Sequence, residues 1–307
     1  MSRGRKQQQD NGGRRRRRRD PGAPARSPRG PVSAYGDRAQ RVIYIAHEGE
    51  KTEKDYLRLL ESTYRTREGR RSFRFALFGE AGGLRPMATV DRVLEESEPH
   101  DEKWVLFDRD AADNRDTEIP QAMRKAAKNG VQVALSHPSF ELWLLLHFQP
   151  WTSQEGGFAG EVKDRLRQHK DAKGFEDYDQ ASGDRGKGID GKRAESLLAS
   201  GRVKSAIRNA RKLVNACQYG HCKAKDADEA AASPIDPGKP ETYEQWTRRS
   251  GHAGGCDPLR RDPSTDVWRL LAALEIDDFL LAICGLWQID PRDNGQARAR
   301  RLLDLVM

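Results

Sequence analysis

Between residues 41 and 150 the chain alternates short apolar runs with helical repeats, and few folds accommodate that order. Strand-like runs lie at 42–47 (Val42-Ile43-Tyr44-Ile45-Ala46-His47), 72–78, 103–107 and 131–135. Tyr56, Leu59, Leu60 and Thr63 fall at i, i+3, i+4 and i+7, one face of a helix between the first two runs. Further helical patterns cover about 86–97 and 117–128, the latter closed by Asn129-Gly130. Strands separated by helices require right-handed crossovers. The expected fold class is therefore α/β: an open, mainly parallel four-stranded sheet with helices on both faces.

The segment Ser136-His137-Pro138-Ser139-Phe140-Glu141-Leu142-Trp143-Leu144-Leu145-Leu146-His147-Phe148 comes next. Pro138 suits a helix first turn, and the helix is apolar on nearly every side, so it should be buried. From 150 the chain turns polar, giving a mostly helical C-terminal region over 151–307. Helices are expected near 160–169 and 192–215, split by a Gly- and Asp-rich segment at 174–191, with a long polar loop at about 218–262. Ser264 or Thr265 can cap a helix striped by Val267, Leu270, Leu271 and Leu274. Helices at about 276–287 and 296–306 end the chain, with Cys284 in an apolar core run.

Charge is unevenly spread. Residues 1–40 hold twelve basic and three acidic residues, +9, which leaves −1 for 41–307 out of the net +8. Almost without large apolar side chains, this stretch reads as a disordered basic tail. Its arginine run either attracts nucleic-acid phosphates or only adds solubility. No apolar run reaches the roughly 20 residues of a bilayer span, no signal-peptide core is present, and four cysteines make no disulfide framework. A cytoplasmic protein without a membrane is expected.

Two acidic motifs follow strand-like runs: Glu48-Gly49-Glu50-Lys51-Thr52-Glu53 after the first, and Asp108-Arg109-Asp110 after the third. In an open parallel sheet, ligands gather at the carboxyl ends of strands. Carboxylates there can share a hard divalent cation such as magnesium, which makes 41–150 a metal-binding domain and suits chemistry on phosphates. Glu141, in a nearly all-apolar helix, requires a cation, a metal or a hydrogen-bonding partner. It is either a second-metal ligand or a brace, or it pairs with a basic or backbone group. Glu53 either joins the metal or is only a favourable acid at a helix N-terminus. Lys51 either contacts phosphate or sits in water. His137, at the helix entry, is a candidate substrate contact, whereas His147 reads as a core histidine.

The segments Glu48-Gly49-Glu50-Lys51-Thr52-Glu53-Lys54-Asp55-Tyr56, Phe107-Asp108-Arg109-Asp110, 136–148 and Pro263-Ser264-Thr265-Asp266-Val267 resemble the motifs of the RloB-like family. The resemblance covers roughly residues 41–275 and is strongest at 136–148. It implies a Toprim-like fold and association with restriction and anti-phage operons beside an AAA or ABC-type ATPase. It also implies that Asp108 and Asp110 hold Mg2+ (or Mn2+), while Glu48 helps with metal binding or proton transfer. A topoisomerase would need a tyrosine-bearing strand-passage apparatus, and a primase additional template-handling domains. The expected function is thus a magnesium-dependent nuclease acting on DNA or RNA in defence. The alternative is a non-catalytic metal- or nucleic-acid-binding module that regulates the partner ATPase.

Cys217-Gln218-Tyr219-Gly220-His221-Cys222 and His252-Ala253-Gly254-Gly255-Cys256 lie outside those motifs. Cys217, Cys222, His252 and Cys256 supply four ligands for a structural Zn2+; alternatively Cys217 only closes a helix as an apolar residue.

Overall fold

A computed structural model describes residues 40–66, 72–180, 186–199, 201–231 and 241–276. Apart from Gln40, the expected basic tail lies outside them. So do the helices expected after Ile276, with Cys284.

All four expected strands form: β1 (Arg41–His47), β2 (Phe73–Phe78), β3 (Glu102–Asp108) and β4 (Gln132–His137). They pair in parallel. The sheet has five strands rather than four, in the order β2-β1-β3-β4-β5. The addition, β5 (Ser264–Thr265), runs antiparallel to β4, with Ser136 opposite Thr265 and His137 opposite Ser264. These two residues were expected to cap a helix. Asp266 holds the N-cap position without a side-chain bond, Thr265 Oγ1 still accepts the Val267 N–H at 3.5 Å, and the backbone of both residues pairs with Ser136 and His137 at the end of β4.

Alternation along each strand explains why the sheet is covered twice. Ile43 and Ile45 of β1, Trp104 and Leu106 of β3 and Ala134 of β4 point into one core. Tyr44, Ala46, Val105, Phe107, Val133 and Leu135 point into the other. Strands buried on both faces read as near-continuous apolar runs, as these do.

Helix α1 (Thr52–Tyr64) joins the first core through Tyr56, Leu57, Leu60 and Tyr64. Its buried stripe is turned slightly from the expected one, because Leu57 rather than Leu59 is fully enclosed. Helices α2 (Pro86–Glu96) and α3 (Ile119–Lys128) cover the opposite face, through Val90 and Val93 and through Ile119, Ala122 and Met123.

Helix α4 (Phe140–Leu146) is wholly buried. It begins after Ser139, so Pro138 precedes the cap instead of filling the first turn; the His137–Pro138 peptide is cis. Its apolar surface meets α5 (Gly160–Gln168) and α7 (Arg202–Asn215), which explains a helix with no polar face. The helix expected at 192–215 is two, α6 (Gly191–Leu198) and α7, broken at Gly201, whose φ of 78° suits glycine.

The stretch expected as a long loop at 218–262 carries α8 (Ala224–Ala231) and α9 (Tyr243–Arg248). Trp246 of α9 enters the second core and donates Nε1–H to the Val131 carbonyl at 3.1 Å. Helix α10 (Val267–Ala273) returns to the first core, which is continuous across residue 150.

Among the described residues no helix is long and apolar enough to cross a membrane.

Candidate metal centre

The order β2-β1-β3 dictates where a ligand can go. From β1 the chain moves outward through α1 to β2, then crosses back through α2 to β3 on the other side of β1. Helices α1 and α2 therefore lie on opposite faces, and a crevice opens above the carboxyl ends of β1 and β3. A cleft of about 540 Å³ lies there.

Glu48 follows β1, and Asp108 ends β3. The Glu48 N–H bonds the Leu106 carbonyl at 3.0 Å, extending the ladder by one residue. Its Oε2 accepts the Asp108 N–H at 3.0 Å, and its Oε1 pairs with Arg115. Asp108 Oδ2 accepts the Phe140 N–H at 2.9 Å, so the carboxylate rather than the Ser139 hydroxyl satisfies a free amide at the start of α4. Glu53 reaches back from the first turn of α1, and its Oε1 accepts the Gly49 N–H at 3.1 Å. The Glu53 carboxylate sits where a Cβ on residue 49 would lie, 1.9 Å from Glu53 Oε2, so Gly49 lets Glu53 adopt this position. Glu141 accepts the Tyr178 hydroxyl at 2.9 Å, and Tyr178 also contacts Thr52 Oγ1 at 2.9 Å. Asp110 adopts a left-handed backbone (φ 36°), which aspartate tolerates, and its Oδ1 accepts the Ala112 N–H at 3.2 Å.

The electrostatics follow from this crowding. Burial pushes the Asp108 carboxyl well above its ordinary value, and repulsion from Glu48, Glu53 and Glu141 adds to it. Burial, then the charges of Glu48 and Glu141, pushes Glu53 up to about 7. Burial also raises Glu48, with Arg115 opposing. Arg115 meets Glu48, and a further cation among the buried carboxylates would relieve the repulsion that remains. The donors are all oxygen, the set a hard divalent cation takes.

Glu48, Glu53, Asp108, Asp110, Glu141 and Lys51 all line the cleft. His137 does not. It is fully buried behind the site, with Nε2 2.9 Å from Arg109 Nη1 and 3.6 Å from Asp262 Oδ2. Burial and the Arg109 charge lower its pKa to about 3, so it is neutral. Arg109 turns away from the cleft and grips Asp116 through two bonds of 2.9 Å, holding the turn that carries Asp110. His147 is the core histidine expected, with Nδ1 3.0 Å from the Trp143 carbonyl and Nε2 3.2 Å from the Tyr56 hydroxyl.

Several cleft residues carry no local signal in the sequence: Arg85, Arg115, Lys163, Asp179 and Lys187. Lys163 of α5 bonds Asp179 at 2.6 Å, and Lys187 pairs with the same carboxylate at 3.3 Å. Asp179, Lys187 and Tyr178, which holds Glu141, belong to the Gly- and Asp-rich segment, whose described residues meet α1 through Tyr178, the Lys187 carbonyl and Ile189. Ile189 N–H bonds Asp55, and Arg193 gathers the carbonyls of Gly174, Gly186 and Gly188.

The cysteines and histidine of the polar stretch lie together. One ligand atom from each of Cys217, Cys222, His252 and Cys256 lies within 4.8 Å of every other, a group that could hold a metal ion.

A family model described as "RloB-like protein" matches residues 43–274. No curated protein and no solved structure matches the chain.

Proposed function

The chain belongs to the RloB-like family, and from that premise we propose that its carboxylate cleft is the active site of a Toprim-type, metal-dependent nuclease serving anti-phage defence beside a partner ATPase. The observation that carries this reading is the convergence of Glu48, Glu53, Asp108, Asp110 and Glu141 at the sheet's crossover crevice. Asp108, Asp110 and Glu141, with Glu53 beside them, would hold Mg2+ or Mn2+. When bound, such an ion supplies charge neutralisation at a phosphate oxygen and acidifies water.

The remaining work falls to the chain. Lys51, Arg85, Lys163 and Lys187 line the same cleft and offer cationic donors to a nucleic-acid backbone. We assign proton acceptance to Glu48, a carboxylate that follows β1, lines the cleft and has its pKa raised by burial. Hydrolysis forms one P–O bond from water and breaks one to a sugar oxygen, which takes up a proton. Glu48 receives the proton that water loses, and the leaving sugar oxygen draws its proton from solvent. The buried wall of α4 and Tyr178 keeps bulk water off the inner side of the site.

One observation favours a second reading. Arg115 already neutralises Glu48 as a cation would, an arrangement suited to a binding module that regulates the ATPase without cutting. The deciding experiment incubates the purified protein with DNA and with RNA, plus Mg2+ or Mn2+, alongside Glu48→Gln and Asp108→Asn. Cleavage reduced roughly a hundredfold or more in both variants supports the nuclease. Equal cleavage by all three removes the assignment, and no cleavage even with the ATPase present favours the regulatory module.

A further inference from the structure

The Cys/His cluster stands apart from the carboxylate cleft, and its geometry is specific. Cys217 follows α7, Cys222 precedes α8, His252 follows α9, and Cys256 comes just before the 3-10 turn at Pro258–Arg260 that precedes β5. The four residues thus grip both ends of the polar insertion. Cys222, His252 and Cys256 are buried and Cys217 half-buried, so no position is left open to a substrate.

Three details bear on what the cluster holds. Cys217 Sγ and Cys256 Sγ are 3.7 Å apart. That is too long for a disulfide of about 2.05 Å. It is the edge of a tetrahedron whose arms are about 2.3 Å, the zinc–sulfur distance, which gives about 3.8 Å. Next, His252 Nε2 lies 3.1 Å from Asp266 Oδ1, while its buried Nδ1 finds no polar partner beyond the Cys217 thiol of the cluster itself. A carboxylate fixing one ring nitrogen so that the other can ligate is the usual support of a metal-bound histidine. Finally, the Ala253 N–H points at Cys222 Sγ at 3.4 Å, as an amide does toward a thiolate.

We propose that Cys217, Cys222, His252 and Cys256 bind one Zn2+ as a closed, structural Cys3His site. The ion clamps the entry and exit of the 218–255 insertion together. Through His252 and Asp266, whose N–H bonds the Leu135 carbonyl at 2.9 Å, it ties that clamp to β4. Asp266 is a positioning residue: it orients the imidazole and does not touch the metal. Zinc rather than magnesium follows from three soft sulfur donors. Because such a site does not exist in the unfolded chain, metal binding and folding of the insertion are one event.

The test uses the full chain, purified without chelator or metal-affinity tag, and measures metal content by mass spectrometry and by release to a chromogenic chelator after thiol modification with an organomercurial. About one zinc per chain, retained in excess magnesium and released by the mercurial, supports the site. Reconstitution with Co2+ should add intense thiolate charge-transfer absorption. Glu48→Gln and Asp108→Asn should keep the zinc, separating this proposal from the cleft. Cys217→Ser should lower zinc content, and Asp266→Asn should weaken affinity roughly ten- to hundredfold without removing a ligand. Substoichiometric zinc with freely titratable thiols, iron in place of zinc, or a Cys217–Cys256 disulfide in the purified protein would overturn it. These readings on the unaltered chain decide the matter even where a variant fails to fold.

Discussion

At the scale of single residues, crowded acids make the cleft's behaviour depend on pH in a direction that can be worked out. Glu53 titrates at about 7 in the fold and near 4.5 when unfolded. Between those values the native state holds a proton that the unfolded chain has released, so stability falls as pH rises through the window. In metal-free buffer, Glu53→Gln should therefore gain on the wild type as pH goes from 5 to 8, measured by urea melts, and added Mg2+ should narrow the gap at pH 8. His147, held near 4 by burial, works the other way, because its unfolded form takes up a proton below about 6.5 and acid destabilises the fold. Gly49→Ala should displace Glu53 and weaken magnesium binding by calorimetry while leaving the melting temperature nearly unchanged, since the clash falls on the end of a side chain.

At the scale of elements, α4 is both core and scaffold. Leu145 is fully buried, so Leu145→Ala should cost about 2–5 kcal/mol in urea unfolding. It should also weaken metal binding, because the first amide of α4 anchors Asp108. How far each element could be read from the chain follows its physics. The four parallel strands and α1 to α3 were legible because burial on both faces leaves long apolar runs and whole helical turns. Glu48, Asp108, Asp110 and Glu141 were legible because strand ends and one buried helix pointed at them. Two-residue β5 has no period to read, and its partner lies 129 positions away. Helix α9 did leave a signal, the Thr242 to Gln245 capping box, overlooked within a polar stretch. Arg115, Lys163 and Lys187 left none, for basic residues occur throughout this chain and nothing local marks which of them turn inward.

At the scale of the whole molecule, the cleft is completed by chain far from the sheet motifs. Arg193 binds three carbonyls and Asp177, and its guanidinium lies 5.3 Å from the centre of the Tyr178 ring. Arg193→Ala should expose the chain at 174–178 and 186–190 to limited proteolysis and weaken substrate retention, with the far-ultraviolet dichroism of the sheet unchanged. The order of strands also has a consequence in time. On the ribosome β1 to β4 emerge together, but β4 must wait for Thr265. At roughly 5–20 residues per second that interval is on the order of ten seconds. Throughout it the nascent chain presents the β4 edge uncovered to its neighbours on the polysome, until β5 meets Ser136 and His137 and Asp266 and Arg269 take the carbonyls of Leu135 and Val133.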